Sequence, residues 1–338
     1  MFNRRTFGAL VLSAGVSTAS LAQTTVLFNS FLPPGHPMNT HVFKPWAEEV
    51  AKATKGRVKV DIPLASLAAP PQQMDAAAKG IFDMAYQFHG FLENKVKLTQ
   101  LAHLTGVNTN AKGSSVALWR TYEKYFQQAN EYKNVHVLGM FVFQPGVVFG
   151  IQKPIESAAD VKGVKMFALP GAAADVLGAA GAGVVAAPAV RSHEIISGGT
   201  VDAFAGYPIM EGSSFKTLQY AKFITEIPGG LNAPSFVLFI NKKKWSSLSP
   251  ADREAITKLS GEALAQRMGI MDEFETKARA SAVAMGIQIK VASPRFAAEL
   301  QKIAQPQVQN WMKDAQSLGV DGAAALEFYK AQAQQASQ

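Results

Sequence analysis

The stretch "DVKGVKMFALPG" (160–171) sets an alternating strand between a glycine and a Pro-Gly stop. Val164, Met166 and Ala168 alternate with Lys165 and Phe167, the period of two of a β-strand. Pro170-Gly171 then releases the chain into a loop or a helix start. A helical pattern over 172–180 follows, then a strand "GVVAA" (183–187), a short helix from about Ala189 to Gly198, and a strand "VDAFA" (201–205). The first third carries the same plan. Strand "TTVLFNSF" (24–31) leads through loop "PPGHP" (33–37) to a helix from about Asn39 to Thr54, striped with Val42, Phe43, Trp46 and Val50. Strand "RVKVDI" (57–62), a short helix from Pro71 to Gly80, and strand "FDMAYQ" (82–87) come next. Such alternation predicts the α/β class, here as two similar lobes with a ligand cleft where strand carboxyl ends converge.

In both halves a glycine ends a helix and an aspartate starts the next strand, as Gly80 to Asp83 and as Gly199 to Asp202. The glycines suit a left-handed cap, and the two aspartates are expected to make structural hydrogen bonds. Further on, "SFVLFINKKKW" (235–245) is a strongly apolar strand. An uninterrupted helical pattern runs from Pro250 to about Met285, ~50 Å long at 1.5 Å per residue and therefore expected to span both lobes. Strand "IQIKVA" (287–292) and an Ala- and Gln-rich helical tail close the chain.

At the N-terminus, Arg4 and Arg5 precede an apolar run from Phe7 to Val16, and Ser20-Leu21-Ala22 supplies small residues for a cut. This reads as a secretory signal peptide over residues 1–22, by a general or a twin-arginine route. Its removal lowers the formal charge from +8 to +6. With no cysteine, neither a disulfide nor a thiolate is available. The one tight basic run, "NKKKW" (241–245), lacks the aromatic context of a nucleic-acid module. Residues 166–190 hold a single charge, Asp175, yet Pro170, Pro188 and several glycines make a buried strand-helix-strand unit a better reading than a membrane span.

Catalytic motifs do not survive inspection. "GAGVVA" (181–186) imitates a dinucleotide fingerprint, but a helix precedes it and a strand follows, the reverse of what pyrophosphate binding needs. No histidine pair has metal-helix spacing, and no G-x-S-x-G occurs. No enzyme, metal or cofactor is expected. His36, in a strand-end loop, and His89, after the third strand, are candidates for the cleft wall. So are the aromatics at strand ends: Phe88, Phe143, Phe167, Phe204 and Tyr207.

Taken together, "KPIESAADVKGVKMFALPG" (153–171), "HEIISGGTVDA" (193–203), "KGIFDMAY" (79–86) and "INKKKWSSLSP" (240–250) resemble the solute-binding proteins of tripartite ATP-independent periplasmic (TRAP) transporters, dicarboxylate-binding type. The resemblance covers essentially the whole mature chain. It implies a two-lobed clamshell with hinge strands, closure on a small organic acid, and delivery to a two-subunit membrane permease. The lobes are expected over 23–146 plus about 234–275, and over 147–233 plus about 276–338, in a periplasmic monomer. A periplasmic ligand sensor for a neutral compound, or an envelope enzyme, are the rival readings.

Three departures mark the site. The family stretch carries an arginine that clamps the substrate carboxylate where this chain has Phe167. Gly206 or Tyr207 stands where related proteins have asparagine, and Phe88-His89 where they have an acid. All three move the pocket toward apolar and aromatic, so the expected ligand is an acid with an apolar or aromatic portion. Phe167 is expected as a hydrophobic wall, because phenylalanine lacks the guanidinium's bidentate fork. Arg191 is the candidate replacement cation, with His36, His89 and His193 as alternatives and polar side chains such as Gln144 or backbone amides as further contacts.

Overall fold

The computed structural model describes residues 23–338; the signal-peptide reading of 1–22 lies outside them. Eleven strands form two sheets. In the first, β1 (Thr24–Asn29) pairs in parallel with β2 (Val58–Asp61) and β3 (Met84–Phe88), with helices Lys44–Ala53 and Gln73–Ala78 as the crossovers. The chain enters β4 (Val135–Val142), leaves through residues 143–146, and builds the second sheet. That sheet is ordered β11-β9-β5-β8-β6-β7, from β5 (Val147–Gly150), β6 (Lys165–Ala168), β7 (Gly183–Ala186), β8 (Ala203–Tyr207), β9 (Phe223–Glu226) and β11 (Gln288–Val291). Residues 227–234 return to the first sheet, where β10 (Ser235–Asn241) runs antiparallel between β3 and β4.

Burial follows the period of two. In β10, Phe236, Leu238 and Ile240 join one apolar cluster while Val237 and Phe239 join another, as a strand covered on both faces must. β6 behaves likewise: Met166 and Ala168 face one layer, Phe167 the other. The 166–190 stretch is the strand-helix-strand unit its breakers indicated, and no helix among the described residues is long and apolar enough to cross a membrane.

The expected long helix is broken in three: Pro250–Leu259, Glu262–Arg267 and Gly269–Ala284. Ser260 is extended and Gly261 takes φ +55°, and the Gly261 N–H donates to the Leu138 carbonyl of β4 instead of continuing the helix. The element that runs along both lobes comes later, as the 24-residue helix Pro294–Ser317. It touches Ala172–Ala179 of the second lobe, and Trp311 donates to the Leu98 carbonyl of the first at 3.0 Å. The tail is a second correction. Helix Gly322–Ala336 packs on Ala111–Thr121 of the first lobe, with the Tyr329 hydroxyl on Asn108 Oδ1 at 2.5 Å, so residues 276–338 are not confined to lobe II.

Gly80 and Gly199 both take positive φ, as their repeated setting suggested. Their aspartates differ. Asp83 accepts the Leu27 N–H at 2.9 Å and pairs with Lys244 at 3.1 Å. Asp202 is exposed and ties into the sheet through its backbone, its N–H on the Lys165 carbonyl.

Candidate functional site

Strand ends from both sheets meet at one narrow apolar cavity of about 40 Å³ of accessible space, opening to solvent. The first lobe supplies Phe31, Leu32, Phe88, Phe91, Phe143, Pro234 and Phe236; the second supplies Leu169, Pro188, Ala189, Val190, Tyr207, Glu211 and Phe215. The rings brace one another: Phe88 lies 5.4 Å from Phe236 and 5.2 Å edge-on to Phe91, and Phe143 stands 5.3 Å edge-on to Phe236. A larger groove under helix Pro294–Ser317 also lies between the lobes, but it is lined by the acids Glu93, Asp175 and Asp314. There burial, and then Asp175, push the Glu93 carboxyl up to about 7.

The cavity's single charged lining residue is Glu211. Its Oε1 lies 3.0 Å from Nε2 of His36, a hydrogen bond joining the lobes with both side chains almost wholly buried. The Met38 N–H donates to His36 Nδ1 at 3.2 Å, so the proton resides on Nε2 and is given to Glu211.

Behind the cavity, helix Gly269–Ala284 ties the lobes together. Asp272 accepts the N–H groups of Ala111 and Lys112 at 2.7 and 3.1 Å, at the start of a first-lobe helix. Glu275, one turn on, accepts those of Ile209 and Met210 at 3.0 and 2.7 Å, at the start of a second-lobe helix. Each carboxylate thus occupies a helix N-terminus, where orphan N–H groups and the dipole favour an anion.

Of the residues expected in the site, Phe88, Phe143 and Tyr207 line the cavity. Phe167 does not: it is fully buried one layer behind, its ring 6.2 Å from that of Tyr207, while Leu169 two residues on reaches the wall. Phe204 is likewise interior, stacked on Phe149 at 4.4 Å. His89 belongs to a buried chain, with Nδ1 2.8 Å from Ser235 Oγ and Nε2 2.9 Å from the Tyr132 hydroxyl. Burial, then the neighbouring His103, hold its pKa well below the usual histidine range, which suits a neutral structural group. Gln144 sits at the hinge, donating to Asp272 at 3.1 Å. Arg191 is exposed and paired with Glu194, next in the chain to the lining residue Val190. His36 acts through Glu211 and does not itself line the wall. Sequence reading missed Phe31, Phe91, Phe215, Phe236 and Glu211. The signal that was there is "YPIMEGSSF" (207–215), a strand end followed by a helix with one acid on its first turn.

Residues 28–314 match the family described as bacterial extracellular solute-binding protein, family 7. The chain belongs to that family. It is an extracellular or periplasmic solute-binding protein with the two-lobed α/β fold of TRAP binding proteins. It is 54% identical over 331 residues, 98% of both chains, to a Comamonas testosteroni protein named outer membrane transporter protein TsaT. Its fold is similar to that of a TRAP periplasmic solute-binding protein from Bordetella bronchiseptica with bound (R)- and (S)-mandelate (TM-score 0.88, 32% identity, covering 92% of this chain and 99% of that one). A marine metagenome TRAP solute-binding protein specific for aromatic acids, in complex with 3-hydroxybenzoate, is also similar (TM-score 0.85, 28% identity, 94% and 100% covered). Solute-binding proteins of this family are receptors for small molecules rather than enzymes.

Proposed function

We propose that this chain captures an aromatic acid in the interlobe cavity and delivers it to the two-subunit membrane permease of a TRAP transporter. One observation carries the reading: six phenylalanine rings from both lobes surround a single cavity at the strand ends. Burying ~100 Å² of a ligand's ring there contributes about 2.5 kcal/mol. The similar proteins holding mandelate and 3-hydroxybenzoate support the same class. The chain works as a monomer in the periplasm, exported by a signal cleaved near Ala22, without catalysis. Phe88 and Tyr207 contact the ligand, and Arg191 is the guanidinium available to its carboxylate once it leaves an exposed pair with Glu194 that contributes little.

A second reading has its own observation: neither lysine nor arginine is among the lining residues, which suits a neutral aromatic compound. Calorimetry on the mature protein separates the two. Benzoate and mandelate should bind with micromolar or tighter affinity, and succinate should not. Binding of benzamide in preference to benzoate would favour the neutral-ligand reading. Tight binding of succinate with none of the aromatics would defeat both.

A further inference from the structure

Glu211 is the one charged group in a wall of phenylalanine, leucine, proline and valine, and only half of its carboxylate is committed. Oε1 takes the proton of His36, whose tautomer is fixed by the Met38 N–H. His36 is itself held between the rings of Phe143 and Phe215, at 6.4 and 5.8 Å. The helix bearing Glu211 (Ile209–Ser214) is anchored at its start by Glu275. Only 4% of the Glu211 side chain is exposed. Among the described residues, Oε2 has no protein donor. That oxygen is not sealed from solvent in the cavity. Once a ligand excludes water from the apolar wall, a carboxylate oxygen without a donor is costly, and an O–H from the bound molecule removes that cost.

We propose that Glu211 reads a hydroxyl group on the ligand, so that the molecule captured is a hydroxylated aromatic acid. This rests on the aromatic-acid reading above and narrows it. The ligand's own carboxylate is repelled by Glu211 and therefore lies at the opposite end, which fixes the ligand's direction in the cavity. Because His36 belongs to the first lobe and Glu211 to the second, the acceptor is fully positioned only in the closed clamshell. A hydroxylated ligand thus selects the closed state over a ring of equal size without one.

Calorimetry with matched pairs tests this: benzoate against 3-hydroxybenzoate, and phenylacetate against mandelate. The better hydroxylated member of each pair should bind about 10- to 100-fold more tightly, as a charge-assisted hydrogen bond provides. Glu211→Gln is the decisive variant. The His36 N–H selects the amide oxygen, which turns the amide N–H₂ group toward the cavity and replaces an acceptor by a donor. The hydroxyl preference should then shrink at least 10-fold, and a cooperative unfolding transition like the parent's shows that the variant is folded. Equal binding within both pairs, or an unchanged ratio in the variant, overturns the proposal while leaving the aromatic-acid reading standing. Failure of all four acids to bind the wild type removes the reading beneath it. Should the variant not fold, the wild-type ratios decide alone.

Discussion

The hinge and the cavity each place carboxylates where water is scarce, and they treat them in opposite ways. Asp272 and Glu275, one turn apart on helix Gly269–Ala284, each accept two backbone N–H groups, one pair in each lobe. Glu211 accepts one imidazole N–H across the cleft and keeps its other oxygen for the cavity. A carboxylate saturated by backbone amides holds geometry; one left half-satisfied in an apolar wall is free to recognise something. Partner count therefore separates structural from functional acids better than burial does, since the saturated Asp272 and Glu275 are only partly buried while the half-satisfied Glu211 is buried.

The largest effect that would sharpen this contrast is loss of a hinge carboxylate. Asp272→Ala frees two N–H groups at the start of Ala111–Thr121 and the Gln144 amide as well. We expect about 2–3 kcal/mol of lost stability, read by denaturant unfolding, with the ranking of aromatic ligands unchanged. A variant as stable as the parent, or one that loses hydroxyl preference as Glu211→Gln should, would erase the distinction between hinge and cavity.

The next effect is a pH dependence set by the two buried seams. Burial, opposed by the amides of Met210 and Ile209 and then reinforced by Glu211, pushes Glu275 up to about 7 from an ordinary 4.5; burial and then Asp175 do the same to Glu93. Both groups hold a proton in the folded chain that the unfolded chain has already released. Stability therefore declines as pH rises from about 4.5 to about 7, and this contribution is constant above that window. For Glu275 the change is on the order of 1–3 kcal/mol, and the half-exposed Glu93 adds less. Scanning calorimetry from pH 4.5 to 8 should show the decline, and Glu275→Gln should flatten most of it. A melting temperature that rises across the window would contradict the sign.

Much of this organisation is legible in the residues, and the rest fails for identifiable reasons. Alternation and glycine breaks place β1, β2, β3, β6, β7, β8 and β11 within a residue or two, because local sterics and burial period agree there, whereas β10 ends at Asn241 and the expected remainder, 242–245, begins a helix. The break at Ser260-Gly261 hides inside a good helical pattern, since it depends on a tertiary partner, the Leu138 carbonyl. Asp83 and Asp202 look equivalent in sequence, yet only the first finds donors for its side chain. Glu211 escapes notice because the local signal, an acid on the first turn after a strand end, does not reveal a partner 175 residues away. Lobe membership of the tail is set by packing of Gly322–Ala336, which no pattern within that helix reveals.

Phe167 offers the finest test, because the period of two separates it from Met166 and Ala168 but does not give its depth. It packs in one buried cluster with Phe204 and Tyr207, while the second-lobe wall beside it is formed by Leu169 and Tyr207. An arginine at this depth would set a charge among apolar groups, so the residue type fits the layer it occupies. Phe167→Leu removes ring contacts without adding polarity. We expect about 1–1.5 kcal/mol of lost stability and an affinity for aromatic acids within roughly threefold of the parent, since the ligand rests on Tyr207 and not on the ring behind it. Unfolding and calorimetry on the same preparation give both numbers. An affinity loss above tenfold with stability intact would mean the cavity reaches beneath Tyr207, and the boundary between packing layer and binding wall would have to be redrawn one residue layer deeper.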